Sequence, residues 1–144
     1  MSHESEYSES VEMYLKEIYL LSRDGNPATT GSIAESLEVS PPSVSEMVTR
    51  LERLGLGRTE KHRGTTLTEE GEAKAVAVLR KHCRIERFLV DKLEVESGFH
   101  EEACHLEHAM SDEVARRLDR YVDLPDECPD CYDPEERRCS RLFD

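Results

Sequence analysis

The stretch TTGSIAESLEVSPPSVSEMVTRLERLGLGRTEKHRGTTL, residues 29–67, decides the fold. Thr29 or Thr30 can cap a short helix holding Ile33, Ala34 and Leu37, after which Glu38-Val39-Ser40 reads as a turn. Ser40 then caps a second helix opened by Pro41-Pro42. A proline in the first helical turn gives up only an N–H that has no intrahelical acceptor. Val44, Met47, Val48, Leu51 and Leu54 share one face of this helix, and Gly55 ends it. Leu56 to Leu67 follows as a hairpin, with strands Gly57–Lys61 and Thr65–Leu67 and Arg63-Gly64 at the tip supplying the turn glycine. Two short helices joined by a tight turn and followed by a hairpin make the winged helix-turn-helix pattern.

Upstream, Val11, Tyr14, Leu15, Ile18, Tyr19 and Leu21 follow helical spacing from Glu9 to Ser22, and Asp24-Gly25-Asn26-Pro27 stops them. Downstream, Thr68-Glu69-Glu70-Gly71 opens a long helix with a capping-box-like start, whose apolar positions run through Ala75, Val78, Leu79, Ile85, Phe88, Leu89 and Leu93. A further helix is expected from about His100 to Tyr121, closed by Leu124-Pro125. The last twenty residues are acidic and cysteine-bearing, without periodicity. The expected fold is mainly α: a winged helix-turn-helix domain over residues 1–72, a helical domain over 73–124 and a tail over 125–144.

The net charge of -13 argues at first against a nucleic-acid partner, since phosphate contacts demand Lys and Arg. Its distribution reverses the argument. Residues 1–39 hold 2 basic and 8 acidic groups, residues 40–87 hold 10 and 7, and residues 88–144 hold 7 and 17, so only the middle segment is basic in excess. The acid-rich surface, with 5 Lys against 14 Arg, is similar to that of proteins from a high-salt cytoplasm. No apolar run approaches the roughly 18 residues of a membrane span, and a soluble, cytoplasmic protein is expected. Five cysteines, an odd number, fit metal ligation or thiol chemistry better than a disulfide framework.

The strongest chemical signal is His100-Glu101-Glu102-Ala103-Cys104-His105-Leu106-Glu107-His108. At about 100° per residue, a helix sets His100, Cys104, Glu107 and His108 within an arc of roughly 100°. One face thus carries two imidazoles, a thiol and a carboxylate, where a solvated face would carry Glu, Lys and Arg and a core face would be aliphatic. Mixed N, S and O donors suit Fe(II), Co(II), Ni(II) or Zn(II) better than Mg or Ca. On the preceding helix His82 and Glu86 stand four apart and share a face.

These residues carry a resemblance. Glu12-Met13-Tyr14-Leu15, Ile33-Ala34-Glu35, Leu67-Thr68 with Gly71, Arg80-Lys81-His82 with Glu86-Arg87, and His100-Glu101-Glu102-Ala103-Cys104 through Glu107-His108 to Met110-Ser111-Asp112-Glu113-Val114 resemble the diphtheria toxin repressor and iron-dependent regulator family over residues 9–122. The resemblance implies a homodimeric, metal-activated repressor of metal homeostasis that binds a palindromic DNA operator, with the helical domain carrying the metal ligands and the dimer interface. It implies a primary site of Met13, Cys104, Glu107 and His108 and an ancillary site of His82, Glu86 and His100. Met13 and Cys104 match the iron-responsive branch, since sulfur donors favour iron over manganese. Fe(II) is therefore the expected ion and Mn(II) the alternative, with Co(II), Ni(II) or Zn(II) able to substitute. Larger members append a third, SH3-like domain with further ancillary ligands, for which this stretch has no counterpart.

The resemblance places Ser40, Pro42, Ser43 and Glu46 near base edges or sugar-phosphate in the major groove, and Arg50, Lys61 and Arg63 against the backbone or minor groove. In the tail, Cys128-Pro129-Asp130-Cys131 with Cys139 gives C-x2-C-x7-C, which could bind a further metal, bridge subunits or belong to an unstructured acidic tail. Two other functions compete: a thiol-based redox sensor of the winged-helix type using Cys83, Cys104 and the tail, and a small metalloenzyme. The enzyme reading lacks a nucleophile motif or a substrate loop, and no small organic substrate or membrane partner is expected.

Overall fold

The computed structural model describes residues 8–123, 132–133 and 138–139. Helix α1 spans Glu9–Leu21, opened by Ser8, whose hydroxyl accepts the Val11 N–H. Helix α2 (Thr30–Leu37) is capped by Thr29 and ends on Glu38 in the left-handed conformation. Helix α3 (Pro41–Arg53) is capped by Ser40, with Pro41 and Pro42 in its first turn. Strands β1 (Gly57–Glu60) and β2 (Gly64–Leu67) pair antiparallel, with Gly57 opposite Leu67 and Glu60 opposite Gly64. Val11, Leu15 and Ile18 of α1, Ile33 of α2, Val44 and Leu51 of α3, and Leu56 close into one core.

The hairpin tip differs from expectation in a way that explains its glycine. Lys61, His62 and Arg63 form the turn, His62 takes φ 65, and Gly64 is already the first residue of β2. Ala28 pairs with Thr65 as a short outer rung, through Ala28 N–H to Thr65 O at 2.9 Å and Thr65 N–H to Ala28 O at 2.8 Å. A Cβ on Gly64, where φ is +130°, would lie 2.3 Å from the Ala28 carbonyl oxygen. The position needs glycine for the close approach of that rung as well as for its dihedral.

Helix α4 runs Glu69–Asp91, with the Thr68 hydroxyl accepting the Gly71 N–H. It stops before Leu93, which is exposed. The chain divides into two compact units inside α4, one ending at Val76 and the other beginning at Ala77. In the second unit the single helix expected from His100 to Tyr121 is broken. Helix α5 covers Phe99–Ala109, Met110 is extended at φ -80 and ψ 134, and Ser111 caps a new helix, α6 (Asp112–Arg117), followed by a 3-10 turn over Leu118–Arg120. The Ser111 hydroxyl accepts the Val114 N–H at 3.2 Å, and Asp112 and Glu113 put negative charge in the first turn. Ile85 and Leu89 of α4 pack with Ala103 of α5, flanked by Phe99, Leu106, Met110 and Leu118. Strands β3 (Tyr132–Asp133) and β4 (Arg138–Cys139) pair antiparallel. Among the described residues no helix is long and apolar enough to cross a membrane.

Candidate metal centre and nucleic-acid interface

The apolar seam between α4 and α5 holds the polar faces of the two helices against each other. His82, Glu86 and Glu107 are fully buried, an arrangement tolerated only when such groups satisfy one another or bind an ion. His82 Nδ1 lies 2.5 Å from Glu107 Oε1 and its Nε2 2.8 Å from Glu86 Oε2, so the imidazole donates an N–H to a carboxylate on each side. His100 Nδ1 is 3.2 Å from the same Glu86 oxygen, and His100 Nε2 is 3.4 Å from Cys104 Sγ. His108 Nε2 stands 3.2 Å from Glu107 Oε2.

The electrostatics follow from these contacts. Burial alone would lower the pKa of His82, but hydrogen bonds with Cys104, Glu107 and Glu86 outweigh it and hold the ring well above its usual range. Glu86 is penalised by burial, yet the hydrogen bonds from His100 and His82 bring its carboxyl below the ordinary value. His100 is pushed up to about 9, chiefly by its hydrogen bonds to Cys104 and Glu86.

The structure therefore connects residues that the sequence reading placed in two separate sets. Glu107 of the expected primary set touches His82 of the ancillary set, and Cys104 touches His100. Donor atoms of His82, His100 and Cys104 all lie within 4.8 Å of one another. Glu86 Oε1 is buried without a hydrogen-bond partner, a carboxylate oxygen that a cation would satisfy. Nitrogen, sulfur and oxygen donors at this spacing fit a divalent transition ion. Met13 belongs to the first unit, where α1 leaves it 37% exposed while its neighbours Val11, Tyr14, Leu15 and Ile18 are buried. Cys128 and Cys131 lie outside the described residues, and Cys139 is on β4.

One residue that sequence reasoning passed over organises this face. Lys81 is buried, donates to the Met110 carbonyl at 3.0 Å and pairs with Asp112 Oδ1 at 3.0 Å. A single ammonium thus ties the exposed carbonyl end of α5 and the first turn of α6 to α4. Its signal was a lysine beside the ligand-bearing position of an otherwise core-facing helical turn.

In the first unit, Pro42, Ser43, Glu46 and Arg50 stand exposed on α3, and Lys61 and Arg63 on the hairpin tip. The Ser40 hydroxyl oxygen accepts the Ser43 N–H and lies 2.9 Å from the Ser43 hydroxyl, which makes Ser40 the exposed cap of α3. Arg63 pairs with Glu60 at 3.1 Å, an exposed contact that yields easily. Between α3 and the hairpin lies a concavity of about 400 Å³ whose lining includes Ser45, Thr49, Thr59, His62 and Arg63. Hydroxyls at Ser45 and Thr59 suit phosphate oxygens, while the Thr49 hydroxyl donates to the Ser45 carbonyl at 3.0 Å, and only their placement by the fold brings them together.

A winged helix joined to a helical unit with a buried cluster of imidazoles, carboxylates and a thiol defines a two-part architecture, one part for DNA and one for metal. Comparison with known proteins agrees. Residues 6–65 match the family model described as iron dependent repressor, N-terminal DNA binding domain, and residues 68–133 the one described as iron dependent repressor, metal binding and dimerisation domain. The chain is 44% identical over 126 residues to the iron-dependent repressor IdeR of Mycobacterium tuberculosis, covering 87% of this chain and 55% of that protein. It is 42% identical over 118 residues to an uncharacterized HTH-type transcriptional regulator of Methanocaldococcus jannaschii, covering 81% of this chain and 94% of that one. The solved structure of the manganese regulator SloR superposes with a TM-score of 0.70 at 42% identity, over 83% of this chain and 56% of SloR. The chain belongs to the iron-dependent repressor family, and it spans about half the length of IdeR and SloR.

Proposed function

We propose that the protein is a metal-activated transcriptional repressor of metal-ion homeostasis, acting in the cytoplasm as a homodimer on a palindromic operator. Residues 1–72 read DNA, residues 73–124 bind metal and dimerise, and residues 125–144 form a tail. Cys104, Glu107 and His108 of α5 hold the regulatory ion together with Met13 of the first unit. His82, Glu86 and His100 hold an ancillary ion. Fe(II) is the favoured activator, by the two sulfur donors, with Mn(II) the alternative. What supports this most directly is the buried cluster of His82, Glu86 and Glu107, whose partners are all metal-ligand types and in which Glu86 Oε1 has no hydrogen-bond partner.

When bound, the ion supplies a positive charge that several donors share. The chain's own residues do the rest: Glu86 orients two imidazoles through one oxygen, and Lys81 fixes where α5 ends. Ser40, which caps α3, with Pro42, Ser43, Glu46 and Arg50 on α3 and Lys61 and Arg63 on the hairpin, contact the DNA. An ion that prefers the DNA-competent arrangement shifts the population toward it by its differential affinity. Operator affinity, measured anaerobically with Fe(II), Mn(II) or chelator and repeated with Met13→Ala and Cys104→Ala, tests the reading. Metal dependence should be present in the parent and lost in both variants. Equal operator affinity with and without metal refutes it, and affinity that follows peroxide and ignores chelator favours a thiol sensor instead.

A further inference from the structure

We infer that Glu46 of α3 reads a cytosine: its carboxylate accepts an N4 amino hydrogen of that base in the major groove and fixes one C·G pair in each half of the operator. The inference rests on the reading above, in which α3 meets DNA, and names the base that one of its positions selects. Three observations carry it. The first is placement. Val44, Val48 and Leu51 are buried and define the inward side of α3. At about 100° per residue, Glu46 stands within roughly 20° of the opposite direction, on an exposed face with Pro42, Arg50 and Arg53. Arg50 and Arg53 belong to the last turn and Glu46 to the first half of the helix, the half whose residues meet base edges when a recognition helix enters the major groove.

The second is charge. Helices α1, α4, α5 and α6 each carry acidic residues in their first turn, where the helix dipole favours them, and α3 has none there. A chain with 32 acidic residues thus leaves this helix start free of negative charge, as an end that approaches phosphates requires. Glu46 is the exception in the following turn. The other acid of α3, Glu52, has a role inside the fold: its Oε2 accepts the Thr59 N–H of β1 at 3.2 Å. Glu46 has no such role. Among the described residues it makes no hydrogen bond or ion pair, not even with Arg50, four residues on and at a spacing that favours such a pair.

The third is what a carboxylate can meet on a base edge. It accepts hydrogens and donates none. Guanine offers N7 and O6, and thymine O4 and a methyl group, so neither has a hydrogen to give. Adenine offers its N6 amino group, but the N7 acceptor beside it repels the second carboxylate oxygen. Cytosine offers its N4 amino group with no acceptor next to it on that edge, and it is the base a glutamate reads. The two arginines of the same face, reaching phosphates, offset the charge that Glu46 brings.

Selection from a library of DNA duplexes with a randomised centre, by the full chain loaded anaerobically with Fe(II) and by Glu46→Gln and Glu46→Ala, tests it. The parent should return a symmetric motif with a cytosine at one position of each half-site. In Glu46→Gln the preference at that position alone should pass to adenine, since an amide accepts from N6 and donates to N7. Glu46→Ala should show no preference there, and both variants should keep the parent's choices elsewhere. Against duplexes changed only at that position, the parent should discriminate by about 5- to 140-fold, and the alanine variant should lose that ratio. If both variants return the parent's motif at every position and merely bind all duplexes more tightly, Glu46 is a repulsive charge and the inference falls, with α3 still the helix that meets DNA. A metal-loaded parent that selects no symmetric motif overturns both.

Discussion

Raising the pH of the metal-free protein should weaken its second unit across a window that the buried cluster defines. The folded pKa of His100 is about 9 against an ordinary 6.5, so its contribution is fully present below 6.5 and is lost as pH rises through about 9. At ~1.4 kcal/mol per pH decade the upper bound is ~3.5 kcal/mol, reduced by the solvent that reaches the partly exposed ring. His82 is raised as well and acts in the same direction. Glu86 is lowered, so its contribution is present above 4.5 and fades as pH falls through the folded value. Maximum stability of the metal-free chain should therefore lie between about 4.5 and 6.5. Urea unfolding of chelator-treated protein at fixed concentration, from pH 5 to 9.5, measures it, and His100→Gln should flatten much of the alkaline fall. Stability that is level or rising between pH 6.5 and 9, or an unchanged slope in His100→Gln, refutes the reasoning.

Gly64→Ala should cost between about 1 and 3 kcal/mol in chemical denaturation, because its Cβ meets the Ala28 carbonyl at 2.3 Å and its φ is +130°. Lys81→Met should cost about 1.5–3 kcal/mol by loss of a charged hydrogen bond to the Met110 carbonyl, whereas Asp112→Asn, at an exposed partner, should cost under about 1 kcal/mol. Ser111→Ala removes the cap of α6 and should cost about 1 kcal/mol by the same assay. In operator binding, Arg50→Ala and Lys61→Ala should each lower the slope of log affinity against log salt by about 1 without changing sequence preference, if each neutralises one phosphate.

Most of the fold was written in local chemistry. Ser40 before two prolines and the apolar face of α3 are decided by neighbours a few residues away, and the structure keeps them. The break at Met110 escaped because Leu106, Met110, Val114 and Leu118 continue the i, i+4 spacing straight through it. The counter-signal was present in Ser111 followed by Asp112 and Glu113, a helix start embedded in a continuous apolar period. The donor-rich face of α5 was legible for the same local reason. What could not be read was which donors meet across helices: Glu107 with His82 and His100 with Glu86 are contacts across 25 and 14 residues set by how α4 packs on α5, whereas Cys104 with His100 is an i, i+4 contact within α5. The exposure of Met13 depends likewise on packing, since helical spacing alone favours a methionine in the core.

The buried cluster also constrains how metal specificity can arise. In the metal-free chain the ligands are not idle donors, because Glu107 and Glu86 already satisfy His82 and Glu86 also serves His100. An incoming ion competes with protons that these contacts hold more firmly than water does, as the raised histidines record. Net affinity is then the ion's ligation energy less the cost of dismantling this hydrogen-bond network, and weak ions that gain little from nitrogen or sulfur fail at that threshold. Because binding must release protons, affinity should climb with pH over the range in which metal-free stability falls. The two opposite slopes have one cause, the same imidazole hydrogens counted once as folding energy and once as competitors for the metal.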